Sequence, residues 1–293
     1  MSLIYKTVEG SCHLINTLTG NMIKTYMYSR FEKPKANNDL PKYIHRNFDI
    51  NKVEYEDFPI FIIKKRNQMR YNGKVVLFLA GGGGMARPMG IHFDTAARLI
   101  KQTGATMYFA YYPLAPKYNV RDALEWLEGV YKAMQKRFLP ENIVFIGDSA
   151  GANLVFSLVH RVAIKPGKVI AISPAVGLED GRDRDIRRNM EKSDPILNVE
   201  MNDLIARHWS KKVPLDSPDI NPKYINFVDF PEILMFYGSH ELFYPHVKQL
   251  IYKIREDGAV IKDIEAPMCH DWALCSFFPE GRKAIRKMAE TIC

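Results

Sequence analysis

Cysteine is scarce in this chain: four among 293 residues, at positions 12, 269, 275 and 293. The one close pair, in CHDWALC, has five residues between its thiols, which is not a metal-ligand spacing. A disulfide scaffold and a zinc module are therefore excluded, and free thiols in a cytoplasmic protein are expected. Long apolar runs are also missing. No stretch approaches the 18 or so apolar residues of a membrane span, and the N-terminus lacks the basic start and apolar run of a signal peptide. There is no internal repeat and no low-complexity segment. The net charge is +8, but Lys and Arg are spread along the chain and no zinc-finger or RNP motif accompanies them, so nucleic acid is not an expected partner.

The composition that remains, 47% hydrophobic and 25% charged, is that of a folded globular chain. From about residue 50, β-like runs alternate with helix-like segments. The runs are VEYEDFPIFII, KVVLFLA, ATMYFAYYP, NIVFIG, KVIAIS, EILMFYG and AVIKDIEAP. Several are almost continuously apolar, as strands covered on both faces are. Asn119 reads as a helix cap with Asp122 three residues on, ahead of a stripe of Leu124, Leu127, Tyr131 and Met134. Val247, Leu250, Ile251 and Ile254 repeat with helical spacing, and Gly258 sits where a C-terminal glycine would. Strand–helix alternation implies an α/β sheet with helices on both faces. Residues 1–45 and 179–215 break the rhythm and read as helices lying over one end of the sheet. The charged start of the second, EDGRDRDIRR, reads as a solvated, self-neutralising surface.

Gly147-Asp148-Ser149-Ala150-Gly151 fits G-x-S-x-G. A strand-like run ends at it and an apolar helix starts after it, which is the context of a nucleophile elbow. A helix-capping serine in a tight loop is the plainer alternative. A serine hydroxyl needs a base, and the base needs an orienting acid. In this architecture the acid and then the histidine follow the serine along the chain. His270, in the loop MCHDW after the last β-like run, is favoured over His240 and His246. His13, His45 and His92 precede the serine, His160 lies in the apolar helix as a core or edge residue, and His208 falls in the covering segment. Glu241 is the first carboxylate after EILMFYG and is taken as the acid. Asp257 and Asp263 are its rivals, but one sits at a helix end and the other inside a β-like run, and Asp271 would have to turn back on its neighbour to serve. Ala80-Gly81-Gly82-Gly83-Gly84 follows KVVLFLA and suits an oxyanion pocket of backbone N–H groups, with a further donor from Ala150. A phosphate loop is excluded because neither GK[ST] nor G-x-G-x-x-G is present.

These motifs, in this order, resemble the hormone-sensitive-lipase-like esterases of the α/β-hydrolase superfamily. LAGGGG resembles their HGGG, YYPLAP their YRLAP, GDSAG their elbow, GSHEL and MCHDW their acid and histidine loops, and KVIAISPAVGL the strand and turn before their lid. The resemblance covers roughly residues 50 to 290. It implies an α/β-hydrolase fold with a mostly parallel central sheet flanked by helices. Residues 46–178 and 216–293 would form the catalytic core, and 1–45 and 179–215 a helical cap. It implies Ser149 as nucleophile, His270 as base, Glu241 as acid, and Gly82, Gly83 and Ala150 as oxyanion donors. No metal or organic cofactor is implied. The expected activity is hydrolysis of short- to medium-chain carboxylic esters through an acyl-enzyme, with a small-molecule ester as partner. A homodimer is left open as an assembly. A non-catalytic binder on the same fold, and hydrolysis of an amide, lactone or peptide bond, are the alternatives. Two positions depart from the family: Ala80 replaces the HGGG histidine and Pro113 the YRLAP arginine. Tyr26, Met27, Tyr28, Met190 and Trp209 in the covering segments read as core before they read as pocket.

Overall fold

A computed structural model describes residues 1–18, 21–32, 39–67, 72–178 and 182–293. Three helices come first: α1 (Leu3–Leu18), α2 (Met22–Glu32) and α3 (Lys42–Asn47). Then follow β1 (Phe48–Tyr55), β2 (Phe58–Lys65), β3 (Val75–Leu79), α4 (Gly90–Thr103), β4 (Thr106–Ala110), α5 (Val120–Gln135), β5 (Ile143–Asp148), α6 (Ala150–Arg161) and β6 (Lys168–Ile172). The remainder is α7 (Arg182–Met190), α8 (Val199–Ser210), β7 (Glu232–Gly238), α9 (Tyr244–Glu256), β8 (Ile261–Ala266) and α10 (Pro279–Ile292).

The strands form one eight-stranded sheet in the order β1-β2-β4-β3-β5-β6-β7-β8. β1 and β2 run antiparallel, β2 meets β4 antiparallel, and every pairing from β4 to β8 is parallel. The expected α/β-hydrolase architecture is thus present. Alternate residues of each central strand feed two separate cores. Ile143 and Phe145 of β5 pack with α5, α6 and α9, whereas Val144 and Ile146 pack with α4 and α10. That two-sided burial is why the runs read as continuously apolar.

Local signals hold where their chemistry is short-range. The Asn119 side chain accepts from the N–H groups of Arg121 and Asp122, and the Asp122 carboxylate accepts from the Asn119 N–H in return. Gly258 follows α9 with a left-handed φ of 86°. The single run VEYEDFPIFII is instead a hairpin. Glu56 and Asp57 turn the chain with φ of 47° and 66°, and Tyr55 pairs with Phe58. A two-residue turn of this kind usually carries Asn or Gly, so the sequence hid it. α3 spans residue 45, and its Ile44 is buried in the core.

The charged stretch at the start of the second covering segment is also more embedded than expected. Residues 179–181 lie outside the described residues. Beyond them, Arg187 is fully buried, with a guanidinium nitrogen 3.6 Å from the Asp203 carboxylate of α8. Asp183 pairs with Lys223 at 2.9 Å. These charges fasten the segment to the molecule. His160 is exposed at the end of α6, away from the elbow.

Phe145 lies at the centre of the sheet and meets the Tyr131 ring edge-on at 4.8 Å. Phe145→Ala should cost about 3–5 kcal/mol, read as a lower denaturant midpoint. A loss under 1 kcal/mol would mean that the site collapses freely around the deletion.

Candidate active site

β5 ends at the elbow. Ser149 has φ 51° and ψ −120°, a conformation that L-residues adopt only under constraint. The constraint is close packing. A Cβ on Gly151 would sit 2.0 Å from the Leu79 carbonyl oxygen, and one on Gly147 would sit 2.4 Å from the Gly151 carbonyl oxygen. The Ser149 N–H donates to the Ile172 carbonyl of neighbouring β6 at 2.9 Å, which ties the turn to the sheet.

Two loops from the same end of the sheet reach the serine. His270 follows β8, and its Nε2 lies 2.9 Å from Ser149 Oγ. Glu241 follows β7 and is fully buried, with Oε2 3.4 Å from His270 Nδ1. That is an ion-pair distance, longer than a good hydrogen bond, and such contacts tighten when substrate binds. Burial raises the Glu241 carboxyl above its ordinary range, with His270 and the Ser173 hydroxyl opposing the rise. The rival acids lie elsewhere. Asp257 accepts from the Phe227 N–H and Lys253, and Asp263 from the Tyr237 hydroxyl and Arg255. Asp271 does turn back: its Oδ2 is 3.3 Å from His270 Nε2.

The glycine loop lies directly beside the elbow. The Gly81 N–H donates to Asp148 Oδ2 at 3.0 Å. Gly82 and Gly83 have left-handed φ values of 121° and 62°, and the loop closes with the Met85 and Ala86 N–H groups donating to the Gly82 carbonyl. Ala150 opens α6, so its N–H has no intrahelical partner. The loop has an anchor that sequence reasoning missed. The Met89 N–H donates to His92 Nδ1 at 2.8 Å, leaving the proton of a neutral ring on Nε2, which faces Asp148 Oδ2 at 3.0 Å. A histidine from α4 thus contacts the carboxylate that grips Gly81, in a loop where Ala80 has no polar side chain. Arg87 donates to the Tyr112 carbonyl at 2.9 Å, beside Pro113. Both links come from residues downstream of the motif, where a local reading does not look.

Ser149, His270 and the glycine loop border one cavity of about 460 Å³ with largely apolar walls. Besides Ser149, His270 and the glycine loop, it is lined by Val8 and Cys12 of α1, Tyr26 and Met27 of α2, and Met201, Ile205 and Trp209 of α8. Tyr26, Met27 and Trp209, read first as core, therefore face the site; the Tyr28 side chain lies outside the described residues. Helix α1 also bonds to both loops. The Tyr5 hydroxyl accepts from the Cys269 N–H at 2.5 Å and donates to Glu9 at 2.6 Å, and Glu9 meets His240 Nδ1 at 2.8 Å. Asp194 is fully buried and accepts from the Leu242 N–H at 2.8 Å, directly after Glu241. His246 is buried in α9, and neither it nor His208 is part of the Ser149 pairing. All four cysteines are free.

Comparison with known proteins agrees with this fold. A family model described as alpha/beta hydrolase fold matches residues 76–274, so the chain belongs to that family. The resemblance to its hormone-sensitive-lipase branch is borne out at the level of the fold. The structure of EstE7, a hormone-sensitive-lipase homologue from a metagenome library, superposes with a TM-score of 0.80 at 19% identity, covering 100% of this chain and 98% of that one. A hormone-sensitive lipase from a metagenome library gives 0.79 at 18% identity, covering 98% and 97%. Among curated proteins, an esterase of Acinetobacter venetianus is 24% identical over 225 residues, 74% of each chain. The carboxylesterase/phospholipase LipF of Mycobacterium tuberculosis is 32% identical over 117 residues, 39% of this chain and 31% of that protein. Among the described residues no helix is long and apolar enough to cross a membrane.

Gly151→Ala should misplace the elbow, because its methyl group meets backbone rather than a flexible side chain. The expected result is a stability loss of about 3 kcal/mol and at least a ~100-fold loss of hydrolytic rate, measured by thermal melting and by ester turnover. Unchanged turnover would show that the close approach is not needed.

Proposed function

We propose that the protein is a serine carboxylesterase. Ser149 attacks the ester carbonyl, and His270 Nε2 takes its proton and then delivers it to the departing alkoxide. Glu241 orients the imidazole and stabilises the imidazolium. The N–H groups of Gly82, Gly83 and Ala150 hold the developing oxyanion. Water, deprotonated by the same imidazole, then releases the acid from the acyl-enzyme. Every step uses side chains and backbone of this chain plus water. The observation that carries the reading is the 2.9 Å contact between Ser149 Oγ and His270 Nε2 in the lining of an apolar cavity. The names of the curated relatives, an esterase and a carboxylesterase/phospholipase, support an ester as the bond broken.

Residues 1–45 and 179–215 act as the cap in this reading, with 46–178 and 216–293 as the catalytic core. Support comes from the cavity walls, which are drawn from α1, α2 and α8 on one side and from the strand-end loops on the other. The apolar lining and a volume of about 460 Å³ suit neutral esters of short to medium acyl length.

The test is a panel of p-nitrophenyl esters from acetate to palmitate. Turnover should be highest from butyrate to octanoate and fall away at palmitate. Ser149→Ala should lower kcat by about 10⁶-fold and Glu241→Ala by about 10⁴-fold. Flat inactivity of the wild type across the panel would contradict the esterase reading.

A further inference from the structure

Asp271 is held in an unusual place. Its φ is 59°, a left-handed value uncommon for a residue with a side chain. The Asp271 N–H donates to Ser173 Oγ at 3.1 Å, which fixes the turn. The turn folds the carboxyl back over its neighbour, so that Oδ2 lies 3.3 Å from His270 Nε2. That nitrogen is the one facing Ser149 Oγ. Asp271 borders the cavity, and its other oxygen, Oδ1, is buried and has no hydrogen-bond partner among the described residues. The imidazole therefore stands between two carboxyl groups, Glu241 at Nδ1 and Asp271 at Nε2.

We propose that Asp271 is a further catalytic residue, a second carboxyl group that holds a proton on the reacting nitrogen of His270 and so sets the pH at which the base is released. The inference rests on Ser149 and His270 being the reacting pair. With the Nδ1 proton turned to Glu241, a neutral imidazole presents a lone pair at Nε2. A bare carboxylate 3.3 Å away would set lone pair against lone pair. One proton between Nε2 and Oδ2 removes the clash, whichever atom formally carries it. The same proton occupies the lone pair into which the serine hydroxyl must donate. Its loss to solvent frees Nε2 as a base.

The surrounding charges favour keeping it. His270 is faced by Asp271 from its own loop, by Glu241 after β7 and by Asp194 from the covering segment. Asp271 is faced in turn by Asp148 of β5 and His92 of α4. Burial alone would pull the imidazole down, but Asp271 first, then Glu241 and Asp194, outweigh it and push it up. Burial pushes the Asp271 carboxyl up as well, with His270 opposing. Free base is then the main form only above the ordinary imidazole range. Removing the Asp271 charge should move the acid limb of activity to lower pH.

The decisive experiment follows the ¹⁵N shifts of histidine against pH in wild type, Asp271→Asn and Asp271→Gly, with His270 assigned by its loss in His270→Gln. Asn and Gly both tolerate the left-handed backbone, so neither variant depends on a strained fold. The His270 midpoint should fall by about 1–3 pH units in both, and the acid limb of kcat/KM for a p-nitrophenyl ester should follow it. A midpoint that stays or rises in both variants overturns the proposal. The titration needs no turnover. A shifted midpoint in a protein without esterase activity would sink the esterase reading and leave the proton-holding role standing. Full activity with an unmoved limb would sink this inference alone.

Discussion

One backbone constraint organises the molecule: Ser149 held in a left-handed turn between Gly147 and Gly151. A turn this sharp is unfavourable by itself and persists only if its surroundings over-determine it. Here β5 sits in the interior of the sheet, paired with β3 and β6, and feeds both cores. The α6 helix lies so close to β3 that a methyl group on Gly151 would overlap Leu79. Burial of that strand and helix is the source of energy that holds the serine hydroxyl out toward the cavity.

Convergence follows from the parallel sheet. Parallel strands bring their C-terminal ends to one rim, so the loops after β3, β5, β7 and β8 meet although their residues span positions 80 to 271. What the sheet brings near, buried polar contacts then lock in place. Asp148 grips the glycine loop with help from His92, Asp194 grips the loop of Glu241, and Tyr5 grips the loop of His270. Each is a buried or half-buried polar group with a defined partner, the kind that costs most when left alone. The result is a small volume with four carboxyl groups around two imidazoles, which favours retention of protons.

Much of this was legible in the chain itself. The strands, the Asn119 cap and the elbow are written in local patterns, and the structure shows them where those patterns lie. Ser149, Glu241 and His270 could be chosen because strand-end loops have a fixed place in such a sheet. What stayed hidden depended on tertiary contact. The β1–β2 turn is built from Glu56 and Asp57, which carry no turn signature. Arg187 reads as solvated until Asp203 arrives from another helix. Tyr26, Met27 and Trp209 read as core because an apolar side chain looks the same whether it faces protein or an empty cavity. In the sequence Asp271 reads as a carboxylate that would have to fold back on its neighbour; the left-handed backbone at that residue, invisible in sequence, lets it do so.

The central claim is that Ser149 is the activated nucleophile of this site. Intact-mass and peptide analysis after treatment with a fluorophosphonate tests it most directly. The account predicts one stoichiometric adduct, mapped to the peptide carrying Ser149, abolished in Ser149→Ala and strongly slowed in His270→Gln. A wild-type protein that stays unlabelled, or an adduct on another residue that survives Ser149→Ala, would contradict it.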